Sequence, residues 1–270
     1  MGRRHAAQVR AAHMNRPIHL FDDWEGLVRS LARPERLALF SDFDGTLASI
    51  RSNPADARML AGLRPLLATC ARRQVLTGII SGRRLPDVQR RVGVRGAWYA
   101  GVHGYSLVSP SNRRFQRLNQ TGWERIAAAT AQLSRSLEGL AGIRVESKDA
   151  VVSIHYRGAP AGNRRRAGWL VRSLLAQSQG LRLVSGRKVW EILPAGNVDK
   201  ASAIRFILRQ DGPRPVRIFL GDDVADEAVF RSMRGITVLV GTRRSTAARY
   251  WLRSPVEVRQ FLERCLQLWT

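Results

Sequence analysis

Two short apolar runs each end in a cluster of acidic residues, and that repetition constrains the fold more than any other feature of the chain. Leu37-Ala38-Leu39-Phe40 leads into Asp42-Phe43-Asp44-Gly45-Thr46, and Val216 to Leu220 leads into Gly221-Asp222-Asp223, with Asp226 and Glu227 close behind. Such apolar runs read as strands buried on both faces. Carboxylates crowded at the end of a buried strand repel one another and resist desolvation. A divalent cation removes that penalty, and magnesium favours oxygen ligands, commonly one or two carboxylates with phosphate oxygens. Gly45 permits a sharp exit from the strand, and Thr46 can bond phosphate or cap the turn. With a reference pKa of about 3.9, an aspartate is ionised at neutral pH and can attack phosphorus without a general base.

Between and after these runs the pattern alternates. A helix is expected at roughly 55–73, with Met59, Leu63, Leu66, Leu67 and Cys70 on one face. A strand from Val75 to Ile80 ends in Ser81-Gly82-Arg83. A shorter helix carries Leu85, Val88 and Val92, and a strand from Trp98 to Val102 ends in His103-Gly104. After 196 come a helix near 199–209, the Val216 strand, a helix around 225–233, the strand Ile236–Val240 and a helix at 255–268. This alternation predicts a doubly wound α/β parallel sheet, in which ligands sit beyond the carboxyl ends of the strands.

Residues 107–195 differ. Trp123, Ile126, Thr130, Leu133, Leu137 and Leu140 mark one amphipathic helix. Strands at Ile143–Ser147, Val151–Arg157, Leu181–Ser185 and Val189–Leu193 flank a second helix near 163–178. The expected organisation is a sheet domain from 21–106 and 196–270, an α+β insert at 107–195, and a basic tail at 1–20. The tail has no apolar core of a signal peptide. It reads as a frayed end, or as residues ahead of a true start at Met14.

Composition narrows the partners. The chain has 45 basic and 21 acidic residues, a net charge of +24. Lysine occurs only at 148, 188 and 200, so 42 of the 45 are arginine. The arginines are scattered along the whole chain, which argues against a nucleic-acid footprint. No apolar run approaches the roughly 20 residues of a membrane span. Cys70 and Cys265 lack neighbours at metal-ligand spacing and read as reduced, buried thiols, which points to a cytoplasmic setting.

Phosphoryl transfer also needs cations and hydroxyls around the transferred oxygens. Ser81, with Gly82 at a helix start, and Lys200 supply candidates. The order Asp-Phe-Asp-Gly-Thr-Leu (42–47), Ser-Gly-Arg (81–83), Lys200 and Gly-Asp-Asp (221–223) resembles the four signatures of the haloacid-dehalogenase-like phosphatases. Further matches make the chain most similar to the trehalose-6-phosphate phosphatases over about residues 35–265. These are His103-Gly104, Glu146-Ser147-Lys148, His155-Tyr156-Arg157, Gly186 to Ile192 and Gly221 to Phe230.

The resemblance implies that Asp42 forms an aspartyl-phosphate and that Asp44 acts first as acid and then as base. It implies a Mg2+ held by Asp42, the Asp44 backbone carbonyl and Asp222, with Asp226 or Asp223 behind. Ser81, Gly82 and Lys200 would bind the phosphoryl oxygens of a small sugar phosphate, and the insert would close over the sugar as a cap. Candidate sugar contacts are His103, Glu146, Lys148, Arg187 and Glu191. Positions 187 and 191 would share one face of a regular strand, with Lys188 on the other. Some positions depart from the family pattern: Arg187 where lysine is usual, Ala201 where glycine is usual, Ala225 where threonine is common and Leu193 where a basic residue is common. None of these removes a catalytic group. The sequence carries no signal for an oligomeric state.

Overall fold

The computed structural model describes residues 16–31, 36–186, 188–212 and 216–269. The expected tail at 1–20 lies largely outside the described residues. Its last part does not behave as a tail: strand β1 (Ile18–His19) pairs in parallel with Tyr250 and Trp251.

The chain then runs α1 (Trp24–Leu31), β2 (Leu37–Ser41), α2 (Leu63–Arg72), β3 (Leu76–Ile80), α3 (Leu85–Val92), β4 (Trp98–Gly101), β5 (Ser106–Val108) and β6 (Arg114–Gln116). Next come α4 (Gln120–Ser136), β7 (Arg144–Lys148), β8 (Val151–His155), α5 (Ala161–Gln177), β9 (Leu181–Gly186) and β10 (Val189–Pro194). It ends with α6 (Lys200–Asp211), β11 (Val216–Gly221), α7 (Glu227–Ser232), β12 (Ile236–Val240), β13 (Tyr250–Leu252) and α8 (Pro255–Leu268).

The large sheet has nine strands in the order β1-β13-β12-β11-β2-β3-β4-β5-β6. All neighbours from β1 to β4 are parallel, and β5 and β6 continue antiparallel at the edge. The two strands that end in acids, β2 and β11, are adjacent. Every residue of β2 is buried. Leu37 and Leu39 enter the core beneath α1, α2, α3 and α8, while Ala38 and Phe40 enter the opposite core beneath α6 and α7. Period-two alternation with helices on both faces makes the sheet doubly wound. The second sheet, β7-β8-β10-β9, is antiparallel. One face packs on α4 and α5 through Ile126, Leu133, Val152, Ile154, Val171 and Ile192. Among the described residues, no helix is long and apolar enough to cross a membrane.

Two expectations need correction. The helix expected from 55 starts only at Leu63, because Gly62 sits in the left-handed region at φ +90° directly before it. Met59 instead bridges Ala48. An apolar spacing does not reveal a chain break of that kind. The insert expected from 107 forms its own sheet only from Arg144, because β5 and β6 bond to the edge of the large sheet. Strands of three residues carry too little alternation to be assigned to a sheet from sequence.

Candidate active site

The adjacency of β2 and β11 brings the acidic loops together. Asp42, Asp222 and Asp226 each present a carboxylate oxygen within 4.8 Å of the others. Gly45 is required by this close approach: its φ is +77°, and a β-carbon there would overlap the Asp222 carboxylate. Lys200, the first residue of α6, is buried between two of the acids. Its Nζ lies 3.0 Å from Asp42 Oδ2 and donates to Asp226 Oδ1 at 2.7 Å. Asp199 begins that helix, accepting from the Ser202 N–H in a capping box, and so aims Lys200 inward. The other Asp226 oxygen accepts from the Asp222 and Asp223 N–H groups at 2.9 and 3.0 Å. Asp226 therefore shapes the loop and holds the lysine.

Three acids around one lysine leave negative charge uncompensated. Burial, with Asp226 and Asp44 nearby and Lys200 opposing, pushes the Asp42 pKa up to about 7. Burial and the charges of Asp42 and Asp226 push Asp222 up to about 9. The reference value used for Asp42 above therefore does not hold in this setting; a cation is what would keep it ionised at neutral pH. Burial works against the Lys200 ammonium, but Asp226 and Asp42 outweigh it and raise its pKa well above the usual value. An all-oxygen, over-acidic cluster fits a hard divalent cation.

Asp44 stands apart from this cluster. Arg83 grips it through two parallel hydrogen bonds, Nε to Oδ2 and Nη2 to Oδ1, both 2.7 Å. Arg83 also donates to Asp87 Oδ2 at 2.9 Å and to the Pro54 carbonyl at 2.7 Å. A bidentate guanidinium fixes both orientation and charge. Sequence reasoning quoted Arg83 within Ser-Gly-Arg but gave it no role, because nothing in the chain order pairs position 83 with 44. Ser81 is fully buried at the end of β3, where its Oγ accepts from the Arg83 N–H at 3.2 Å. Gly82 lies against the His103 ring, which a β-carbon there would overlap.

His103 carries the site across to the insert. It sits just after β4 at φ +56°, and its Nε2 is 2.8 Å from Glu191 Oε2. Glu191 also accepts from Lys148 Nζ at 3.3 Å and from Ser153 Oγ at 3.0 Å. Burial disfavours the Glu191 charge, yet His103, Lys148 and Ser153 together hold its pKa well below the usual carboxylate range. Glu146 lies on the same face but pairs with His155 at 2.7 Å, and that bond lowers its pKa. Arg187 lies outside the described residues. Lys188 has a φ of +64° and β10 begins only at Val189, so the period-two argument from 187 to 191 has no continuous strand to follow. A cleft of about 210 Å³ separates the two sheets, lined by His103, Asp199, Lys200 and Ala225 from one side and by Arg182 and Leu193 from the other. A wider groove of about 530 Å³ beside the end of α4 contains none of these carboxylates and no lysine.

The same arrangement has relatives. A family model described as trehalose-phosphatase matches residues 40–253. A trehalose-phosphate phosphatase of Mycobacterium ulcerans (strain Agy99) is 36% identical over 259 residues, covering 88% of this chain and 64% of that protein. A Mycobacterium tuberculosis (strain ATCC 25618 / H37Rv) protein described as an uncharacterized glycosyl hydrolase is 38% identical over 253 residues, covering 87% of this chain and 18% of that one. The solved C-terminal domain of the C. albicans trehalose-6-phosphate phosphatase superposes with a TM-score of 0.77 at 19% identity, covering 94% of this chain and 98% of that domain. The chain thus spans less of the mycobacterial relatives than they span of it. With the match running from β2 through β13 and taking in both acidic loops, the chain belongs to the trehalose-phosphatase family.

Proposed function

We propose that the chain is a magnesium-dependent phosphoric monoester hydrolase that converts trehalose 6-phosphate to trehalose and phosphate. The observation that carries this reading is the contact between Asp42 and the buried ammonium of Lys200 at 3.0 Å, inside a carboxylate cluster at the ends of two adjacent parallel strands. A nucleophile, a phosphate-binding cation and a cation site then occupy one place. The substrate assignment is supported by the family and by the mycobacterial relatives' names.

Asp42, Asp222 and the Asp44 backbone carbonyl would hold Mg2+, which when bound neutralises the acidic cluster and the phosphate charge. An Asp42 oxygen attacks phosphorus as the bond from phosphorus to the sugar oxygen breaks, and Asp44, released from Arg83 and protonated for this step, delivers its proton to that oxygen. Water then attacks the aspartyl-phosphate, Asp44 takes its proton, and phosphate leaves as the Asp42 carboxylate is restored. Lys200, Ser81 and Gly82 bind the phosphoryl oxygens. In this reading residues from about 118 to 195 act as the cap, and His103, Glu146, Lys148 and Glu191 face the sugar. The contact between His103 and Glu191 bridges the cap and the large domain beside the proposed phosphate site. Both cysteines are free and buried, which suits action in the reducing cytoplasm.

The test is phosphate release from a panel of phosphorylated sugars, with and without magnesium. Trehalose 6-phosphate is expected to be turned over best, and only with the metal. Turnover of a different phosphosugar instead would overturn the substrate. No metal-dependent release from any member would leave a sugar-phosphate-binding protein rather than an enzyme.

A further inference from the structure

The insert turns a block of four side chains toward the large domain. Arg182 and Val184 alternate along β9, Leu193 and Glu191 along β10, and the register sets Arg182 opposite Leu193 and Val184 opposite Glu191. Strand periodicity therefore puts all four on one face. Arg182, Val184 and Leu193 line the cleft that reaches Lys200.

The two charged members of the block differ in how far they are committed. Glu191 is bonded to His103, Lys148 and Ser153. Arg182 donates from Nη2 to the Val198 carbonyl at 2.9 Å, and its Nε is buried with no partner. Among the described residues that line the cleft, it alone retains a buried side-chain polar atom of this kind. The hydroxyl of Tyr105 donates to the Pro194 carbonyl at 3.1 Å and also faces the Arg182 guanidinium, yet Nε itself keeps no partner. Leaving a buried donor unpaired is unfavourable, so a cleft that contains one is suited to a ligand bearing acceptors. A guanidinium offers a planar fork of donors that matches neighbouring oxygens. Phosphate is already served by Lys200, deep in the cleft; the Arg182 end faces whatever the phosphate is attached to.

We propose that Arg182 is a specificity-determining residue whose free N–H donates to hydroxyl oxygens of the leaving group, so that the cleft selects polyhydroxylated phosphate esters over aryl or alkyl ones. The proposal rests on the phosphatase reading above. Its consequence for substrate choice is specific: losing the donor weakens recognition of the sugar and not the chemistry at phosphorus. The cross-strand pair also allows the cation to be moved. Positions 182 and 193 face the same way on adjacent strands, so an arginine at 193 can reach the same part of the cleft.

The experiment compares kcat and KM for trehalose 6-phosphate and p-nitrophenyl phosphate in the parent chain, in Arg182→Leu and in the double variant Arg182→Leu/Leu193→Arg, with thermal melts as the check on folding. For Arg182→Leu, the ratio of kcat/KM for the sugar ester over the aryl ester is expected to fall at least tenfold, mostly through KM of the sugar ester. The double variant should recover most of that ratio. A ratio within twofold of the parent in Arg182→Leu, whether both substrates lose equally or neither does, overturns the assignment. So does a folded double variant that recovers nothing. A parent chain that hydrolyses p-nitrophenyl phosphate but not trehalose 6-phosphate defeats the function proposed above instead, and the same ratio is then measured with the panel sugar that is turned over.

Discussion

The ion cluster of the large domain and the ion pairs of the insert use the same residue types to opposite ends. Around Asp42, three carboxylates share a single buried lysine. On the inner face of the insert's sheet, Glu191 and Glu146 have separate partners: Glu191 has His103 and Lys148, and Glu146 has His155. Topology explains the difference. Two parallel neighbours that both end in acidic loops stack like charges at one place, whereas an antiparallel sheet sets opposite charges side by side on one face. The first arrangement is incomplete without an added cation. The second satisfies itself, and through His103 it also ties the insert to the large domain.

The sharpest test of this contrast is Asp42→Asn, which removes the charge of the proposed attacking oxygen while relieving the like-charge crowding. Turnover of trehalose 6-phosphate should fall by about a thousandfold or more, equivalent to about 4 kcal/mol, with binding retained. Measured stability without metal should rise or hold. Substantial residual turnover would contradict a covalent route through Asp42. Next in size is Glu191→Gln on the insert. Removing the carboxylate strands Lys148 and the His103 contact, and a loss of about 3 kcal/mol is expected in urea unfolding. A loss well under 1 kcal/mol would show that the pairing is solvent-screened after all.

The third test separates the two regions by pH and metal. The folded-state pKa values of Asp42 and Asp222 are raised, to about 7 and about 9, from 3.8 in the unfolded chain. The folded state therefore binds more protons than the unfolded one across that window. The stabilising contribution of these two groups is complete below pH 3.8 and is lost as pH rises through about 7 and about 9. Magnesium at a hundred times its dissociation constant should restore about 2.7 kcal/mol at fixed pH and flatten this decline, read as thermal midpoints across pH with and without the metal. The smallest effect is expected for Glu146→Gln. Its pair with His155 is partly exposed, so unfolding should shift by less than about 1 kcal/mol.

Much of the large domain was legible because buried parallel strands write continuous apolar runs into the sequence and their acidic ends stand out against them. Asp42, Asp222 and Lys200 could be nominated from order and chemistry. Their partners could not. The grip of Arg83 on Asp44, the pairing of Glu146 with His155 and the reach of Arg182 into the cleft all depend on which strand lies beside which, and on register. The short strands β5, β6 and β13 escaped for the same reason: each is three residues long and is defined by its neighbours rather than by its own pattern.

The position of β2 in the sheet has a consequence for synthesis. The strand that leads into Asp42 emerges early, yet one of its two neighbours, β11, follows only after the whole insert has been made. Parallel pairing across so long a loop is slow, and an emerging chain folds from its N-terminal side. Until β11 docks, β2 keeps one edge of backbone donors and acceptors open. The nascent chain is then most exposed to strand-to-strand association with other copies at the place where the carboxylate cluster later assembles.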